Sequence, residues 1–245
     1  MENFLEKELV ILPSHCDSSG KLGLADTFDV FMDIAAQHAS AIGIGVEHLG
    51  PRGLFWLTAK TRIRFFRRPR LMEQTTVATW SQQYQRVHCE RSYSLTGAGG
   101  ELLAAGKTDW AVMEIATGQL HELDDVFPGG LDFSRPPLIT EPFARINKDF
   151  ADAAPLGSYT VRSVDIDFGG HMNNAAYVYA LLGLIPLAKL KEMKLNEIDV
   201  SFVASCFEGE TLTAVQREVA DGWEVGLLKA DGKPALLAKL SGGGR

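Results

Sequence analysis

The residues best placed to do chemistry fall in one run, Asp165-Ile166-Asp167-Phe168-Gly169-Gly170-His171-Met172-Asn173-Asn174-Ala175-Ala176-Tyr177. It sets carboxylates, an imidazole and the start of an apolar helical stretch within a few residues of one another. Imidazole orients or deprotonates water near neutral pH. Unpaired N–H groups at a helix start suit an oxyanion or a polarised carbonyl. Gly169 and Gly170 permit a close backbone approach or a positive φ, so the Gly170 and His171 amides are the expected donors. Each residue also has a plainer reading. Asp167 is either a catalytic or positioning carboxylate or a turn residue, and Asp165 reads as a solvated charge at a strand end. Asn173 and Asn174 read first as helix caps, with a catalytic role for Asn173 second, and Tyr177 and Tyr179 read as core.

The elements that must hold this run come in two similar sets. Leu9–Leu12 is expected to be a strand. From Ala25 to Ile42 apolar residues recur every three or four positions (Phe28, Phe31, Ile34, Ala35, His38), which predicts a helix that Gly43 and Gly45 end. Strand-like segments follow at Leu54–Phe66, Gln74–Tyr84, Val87–Thr96 and Leu102–Ile115, separated by turn residues. One long helix and a meander of long strands fit a sheet wrapped around that helix. A proline-rich stretch with little periodicity then intervenes. The order strand, Asp-Gly loop, apolar helix (to about Leu190), strands restarts after it. Asp17, Gly20 and Ala25 recur 150 residues later as Asp167, Gly170 and Ala175, and Ile63-x-Phe65 recurs 137 residues later as Val200-x-Phe202. The expectation is two copies of one domain, over 1–120 and 156–245, joined by a connector over 121–155.

Bulk properties narrow the function. A hydrophobic content of 46% with 22% charged residues is that of a soluble globular protein, and a net charge of −7 argues against nucleic-acid binding. Cys16, Cys89 and Cys206 are odd in number and widely spaced, which points to reduced thiols in a cytoplasmic protein. The first residues show no signal-peptide pattern. The longest apolar run, Ala175 to Ala188, is too short to span a bilayer and contains Pro186, so no membrane insertion is expected. The remaining histidines lack ligand spacing, so no metal is expected. Neither a Gly-x-Ser-x-Gly elbow nor a phosphate loop is present. Arg62, Arg64, Arg67, Arg68 and Arg70 alternate with apolar residues, as a solvated strand face or a local basic patch.

The Asp167–Tyr177 segment resembles the Asp-x-Asn-x-His-x-Asn-Asn-x-x-Tyr signature of acyl-acyl carrier protein thioesterases, with Gly169 at the family's first Asn. Gly53-Leu54-Phe55-Trp56-Leu57, Thr108-Asp109-Trp110-Ala111-Val112 and a strand expected to end at Ser205-Cys206 extend the resemblance over nearly the whole chain, with Ser205 at the family's Glu. The resemblance implies an α+β double hotdog, each half a long helix wrapped by an antiparallel sheet. It implies hydrolysis of acyl-carrier thioesters by water, without a cofactor. His171 and Asp167 would activate or orient that water, and Cys206 is a further candidate nucleophile. Phe55 and Trp56 would line an acyl cavity in the first half, unless they simply fill the core. Arg62, Arg64, Arg67 and Arg68 would dock the acidic acyl carrier protein or a CoA phosphate. An acyl-CoA thioesterase and a catalytically weak acyl-binding protein are the alternatives, and a homodimer stays open.

Overall fold

The computed structural model describes residues 2–242. The chain forms two compact units, Met1–Glu141 and Pro142–Arg245. In the first, β1 (Leu5–Val10) precedes α1 (Leu24–Ala41) and the single turn α2 (Val46–Leu49). Strands β2 (Leu54–Phe65), β3 (Gln74–Ser81), β4 (Cys89–Gly97), β5 (Leu102–Glu114) and β6 (Leu120–His121) follow. All pair antiparallel in the order β1-β3-β4-β5-β2, with β6 also on β5. The strand expected at Leu9–Leu12 begins earlier, because Glu6, Lys7 and Glu8 lie on an edge strand, where charges are tolerated.

Helix α1 buries Phe28, Phe31, Ile34, Ala35 and His38, the face its periodicity marks. Each large apolar side chain so buried contributes about 1.5–3 kcal/mol. Phe31 stacks on Tyr93 of β4 at 4.8 Å between ring centroids. Gly106 of β5 makes room for it, since a Cβ there would lie 2.6 Å from Phe31 Cε2. Residues 121–141 close on this unit. Leu123, Val126 and Phe127 join Ile42, Ile44, Leu49, Leu54 and Val112 in one cluster. Periodicity could not reveal this, because the segment packs through scattered side chains without a repeating element.

In the second unit, β7 (Ala154–Thr160) is followed by α3 (Asn174–Gly183), α4 (Leu187–Met193) and strands β8 (Leu195–Phe202), β9 (Thr211–Val219), β10 (Gly222–Leu228) and β11 (Pro234–Gly242). The antiparallel order is β8-β11-β10-β9-β7. Phe150 from the connector packs on Val215 and Leu237. Helix α3 stops at Gly183, short of the run expected to reach Leu190. Pro186 lacks an N–H and biases Ile185 away from helical ψ, so the chain breaks and restarts as α4. Among the described residues no helix is long and apolar enough to cross a membrane.

His38 carries a pH dependence. Its Nδ1 accepts from Arg91 Nη1 at 2.7 Å inside the first unit, which assigns the neutral tautomer with the proton on Nε2. Burial, then the Arg91 charge, pushes the imidazole from 6.5 down to about 4, against a smaller opposing contribution from the Glu2 backbone. The unfolded chain therefore binds a proton that the folded chain refuses between those values. Stability is full above pH 6.5 and falls by about 3 kcal/mol as pH drops towards 4. Urea midpoints at pH 7 and 4.5 check this: His38→Gln should flatten the pH slope of the wild type.

Candidate active site

The Asp167–His171 loop is built by hydrogen bonds that read straight off its sequence. A 3-10 turn at Ser163–Asp165 leads in, and Gly170 takes φ +78°. Asp167 N–H donates to His171 O at 2.9 Å, and Asp167 O accepts from Gly170 N at 3.0 Å. Asp167 Oδ1 accepts from Gly169 N at 2.8 Å, the Asx turn that Asp favours. Met172 N–H donates to Cys206 O at 2.9 Å, joining this loop to the one after β8. Asn173 caps α3, its Oδ1 accepting from Ala175 N at 2.8 Å. Its cap reading holds, and only its exposed amide nitrogen is left to face a ligand.

Three expectations change here. Asp165 is no solvated charge: it is 9% exposed, accepts from Tyr159 OH at 3.0 and 2.8 Å and from Arg162 N at 2.7 Å, and anchors the loop. The Gly170 amide is occupied by Asp167 O, so it is not an oxyanion donor. The His171 N–H has no acceptor among the described residues and remains the one free amide of the expected pair. The strand expected to end at Ser205-Cys206 ends at Phe202, where Val203 and Ala204 both turn their N–H groups onto Ala235 O. Ser205 and Cys206 therefore lie in a loop.

The first unit contains the same loop, bond for bond. Asp17 N donates to Lys21 O at 2.9 Å, Gly20 N to Asp17 O at 3.0 Å, and Leu22 N to Pro69 O at 2.9 Å. Ser19 N donates to Asp17 Oδ1 at 2.8 Å. The two copies differ in the groups they present. Lys21 stands where the second copy has His171, and Arg68 where it has Ser205. In the first copy Arg68 Nη2 binds Asp17 Oδ2 at 2.5 Å and neutralises it. In the second copy Asp167 Oδ2 has no partner among the described residues. Of the two loops, only the second combines a carboxylate oxygen without a partner among the described residues with a histidine, His171, in the same turn.

The His171 ring is half-buried against Phe207, 5.1 Å between centroids. Behind the loop, Tyr177 OH donates to Ala204 O at 3.1 Å. Lys229 Nζ reaches Ser205 O at 3.0 Å and Glu210 Oε2 at 3.1 Å. Burial pushes Glu210 up, but Lys229 and the Phe207 N–H outweigh it and hold the carboxyl below the usual range. Glu210 is thus an ion-pair member before it is a base. Burial pushes the Cys206 thiol above its ordinary range, although Tyr177 and Lys229 pull the other way. A thiol with no solvent exposure that is kept protonated is a poor nucleophile. Any thioester turnover should therefore largely survive Cys206→Ala, where deleting a true nucleophile costs up to about 10⁶-fold. Steady-state thiol release would check this.

The remaining expected site residues lie in the first unit. Trp56 donates from Nε1 to Ile44 O at 2.8 Å and packs in the Ile42–Val112 cluster. Phe55, its strand neighbour, points to the opposite sheet face, so the two do not line one wall. The arginine strip is not a free basic patch. Arg62 is 6% exposed, Arg64 pairs with Glu141 at 3.0 Å, Arg67 with Glu73 at 2.7 Å and Glu101 at 3.0 Å, and Arg68 with Asp17. Local carboxylates neutralise charges that the strand pattern alone shows as exposed.

Sequence profiles of two domains match the chain: the acyl-ACP thioesterase N-terminal domain over residues 3–128 and its C-terminal domain over 151–231. The chain belongs to the acyl-ACP thioesterase family. The oleoyl-acyl carrier protein thioesterase of Coriandrum sativum is 24% identical over 210 residues, 79% of this chain and 57% of that protein. The oleoyl-acyl carrier protein thioesterase 2 of Arabidopsis thaliana is 24% identical over 232 residues, 87% of this chain and 63% of that protein. The chain thus spans about three-fifths of the length of these curated relatives. An acyl-ACP thioesterase of Bacteroides thetaiotaomicron has the same fold, with a TM-score of 0.86 at 22% identity over 98% of this chain and 97% of that one. The 12:0-ACP thioesterase of Umbellularia californica gives 0.80 at 17% over 97% and 96%. The fold is the α+β double hotdog.

Proposed function

We propose that the chain hydrolyses fatty acyl thioesters carried on acyl carrier protein, at the Asp167–His171 loop. One observation carries the placement. Two copies of the same loop exist, and only the second leaves its carboxylate open and carries a histidine in the same turn, in a chain of the acyl-ACP thioesterase family. Asp167 Oδ2 and the His171 ring orient a water, and the imidazole takes its proton as the oxygen attacks the carbonyl carbon. The new C–O bond places negative charge on the former carbonyl oxygen, which the His171 N–H receives. Collapse breaks the C–S bond, and the proton passes from imidazolium to the departing thiolate. Holding water and ester together supplies much of the remaining rate.

Gly169 and Ser205, at positions where the family carries Asn and Glu, favour a second reading: an acyl-binding protein with weak catalysis. Thiol release from one acyl chain presented on carrier protein and on CoA tests the proposal. Faster turnover of the carrier form supports it, equal or faster CoA turnover moves the substrate to acyl-CoA, and binding without release leaves the second reading.

A further inference from the structure

The interior of the first unit holds polar groups that its own residues leave unsatisfied. Arg91 is 5% exposed and meets no carboxylate among the described residues. Its Nη1 donates to His38 Nδ1 at 2.7 Å and lies 3.4 Å from Thr79 Oγ1. Arg91 stands opposite Ser81 and Thr108, Tyr93 opposite Thr79, and Trp110 opposite Thr58. Directly paired residues of antiparallel strands share a face, so these groups line one side of the sheet. It is the side on which Phe31 of α1 stacks on Tyr93. Thr58 Oγ1, Ser81 Oγ, Tyr93 OH and Trp110 Nε1 are buried without a hydrogen-bond partner. The Tyr93 hydroxyl faces Thr108 and Trp110 outside hydrogen-bond geometry.

Guanidinium and indole N–H only donate, so the set calls for an acceptor oxygen. A plain hydrocarbon chain would leave Thr58 Oγ1, Ser81 Oγ, Tyr93 OH and Trp110 Nε1 unsatisfied, and buried polar groups are rarely left so. We propose that the first unit's interior receives an acyl chain bearing an oxygen acceptor (hydroxyl, keto or carboxylate), which Arg91 and Trp110 Nε1 bind. This rests on the acyl-thioester reading for why an acyl chain enters. Arg91 then acts as a specificity determinant remote from the reacting bond.

Calorimetric binding to the full chain tests it. The ligands are non-hydrolysable N-acetylcysteamine thioethers of one chain length: unsubstituted, ω-hydroxy, mid-chain keto and ω-carboxy. At least one oxygenated ligand is expected to bind roughly ten- to hundredfold tighter than the plain chain. The member of the series that gains most identifies the oxygen group. Arg91→Met should erase that preference and lower the melting temperature somewhat, because His38 Nδ1 loses its donor. Arg91→Lys should keep part of the preference. A plain chain that binds as tightly as every oxygenated one overturns the proposal, and so does a preference that survives Arg91→Met. The wild-type series decides the matter even where a variant does not fold. Loss of the preference with thiol release intact removes this inference alone. A preference without thiol release removes hydrolysis and leaves the site.

Discussion

His171→Ala is expected to lower thiol release from an acylated carrier protein by about 10²–10⁴-fold, the usual contribution of a positioned acid–base group. The substitution isolates the imidazole. Asp167 N donates to the main-chain oxygen of residue 171, and alanine retains both that oxygen and the free N–H. The ring touches Phe207, which is 48% exposed, so its removal opens no core cavity. The loop, the α3 cap and the Met172–Cys206 link should therefore survive, and the melting temperature should barely move. A loss confined to kcat would place the imidazole in the transition state. A loss confined to KM would make it a binding residue.

Ser205→Arg is expected to abolish most turnover without unfolding the protein. The first unit supplies the template: Arg68 holds Asp17 Oδ2 while its Nε donates to Leu22 O at 2.6 Å. Position 205 is the equivalent site, because Cys206 O accepts Met172 N as Pro69 O accepts Leu22 N. An arginine there would close a salt bridge on Asp167 Oδ2 and quench the one open carboxylate oxygen of the loop. The bridge would add at most about 1 kcal/mol of stability, since such partly exposed pairs are worth little. Activity should fall by about 10²-fold or more, the range for a lost acid–base partner. Ser205→Ala is the control and should stay near wild type. Equal activity of Ser205→Arg and Ser205→Ala would show that Asp167 serves only to form the turn.

The two-domain plan and the loop were legible because both rest on local pattern. Three- and four-residue spacing marked the buried face of α1, and Asp-Gly spacing repeated at 150 residues marked the two loops. What the sequence hid depends on tertiary partners. Asp165 is buried because Tyr159 folds back onto it, and Arg62 is buried although its neighbours on the strip reach local acids. Gly170 carries the positive φ expected of it, yet the same turn consumes its amide. Leu123, Val126 and Phe127 lie in a segment without periodicity and still complete the first core. The decisive contrast, Arg68 against Ser205 over equivalent carboxylates, was present in the letters. Its meaning needed the two loops' hydrogen bonds to set those residues in register.

The most direct test of the central claim is steady-state thiol release by the wild-type chain from a chain-length series of acyl-carrier proteins, with free acid measured alongside. The expected result is continuous turnover, one free fatty acid per thiol, over a restricted range of chain lengths. Acyl-carrier protein that binds tightly and is recovered with its thioester intact at every chain length would contradict it.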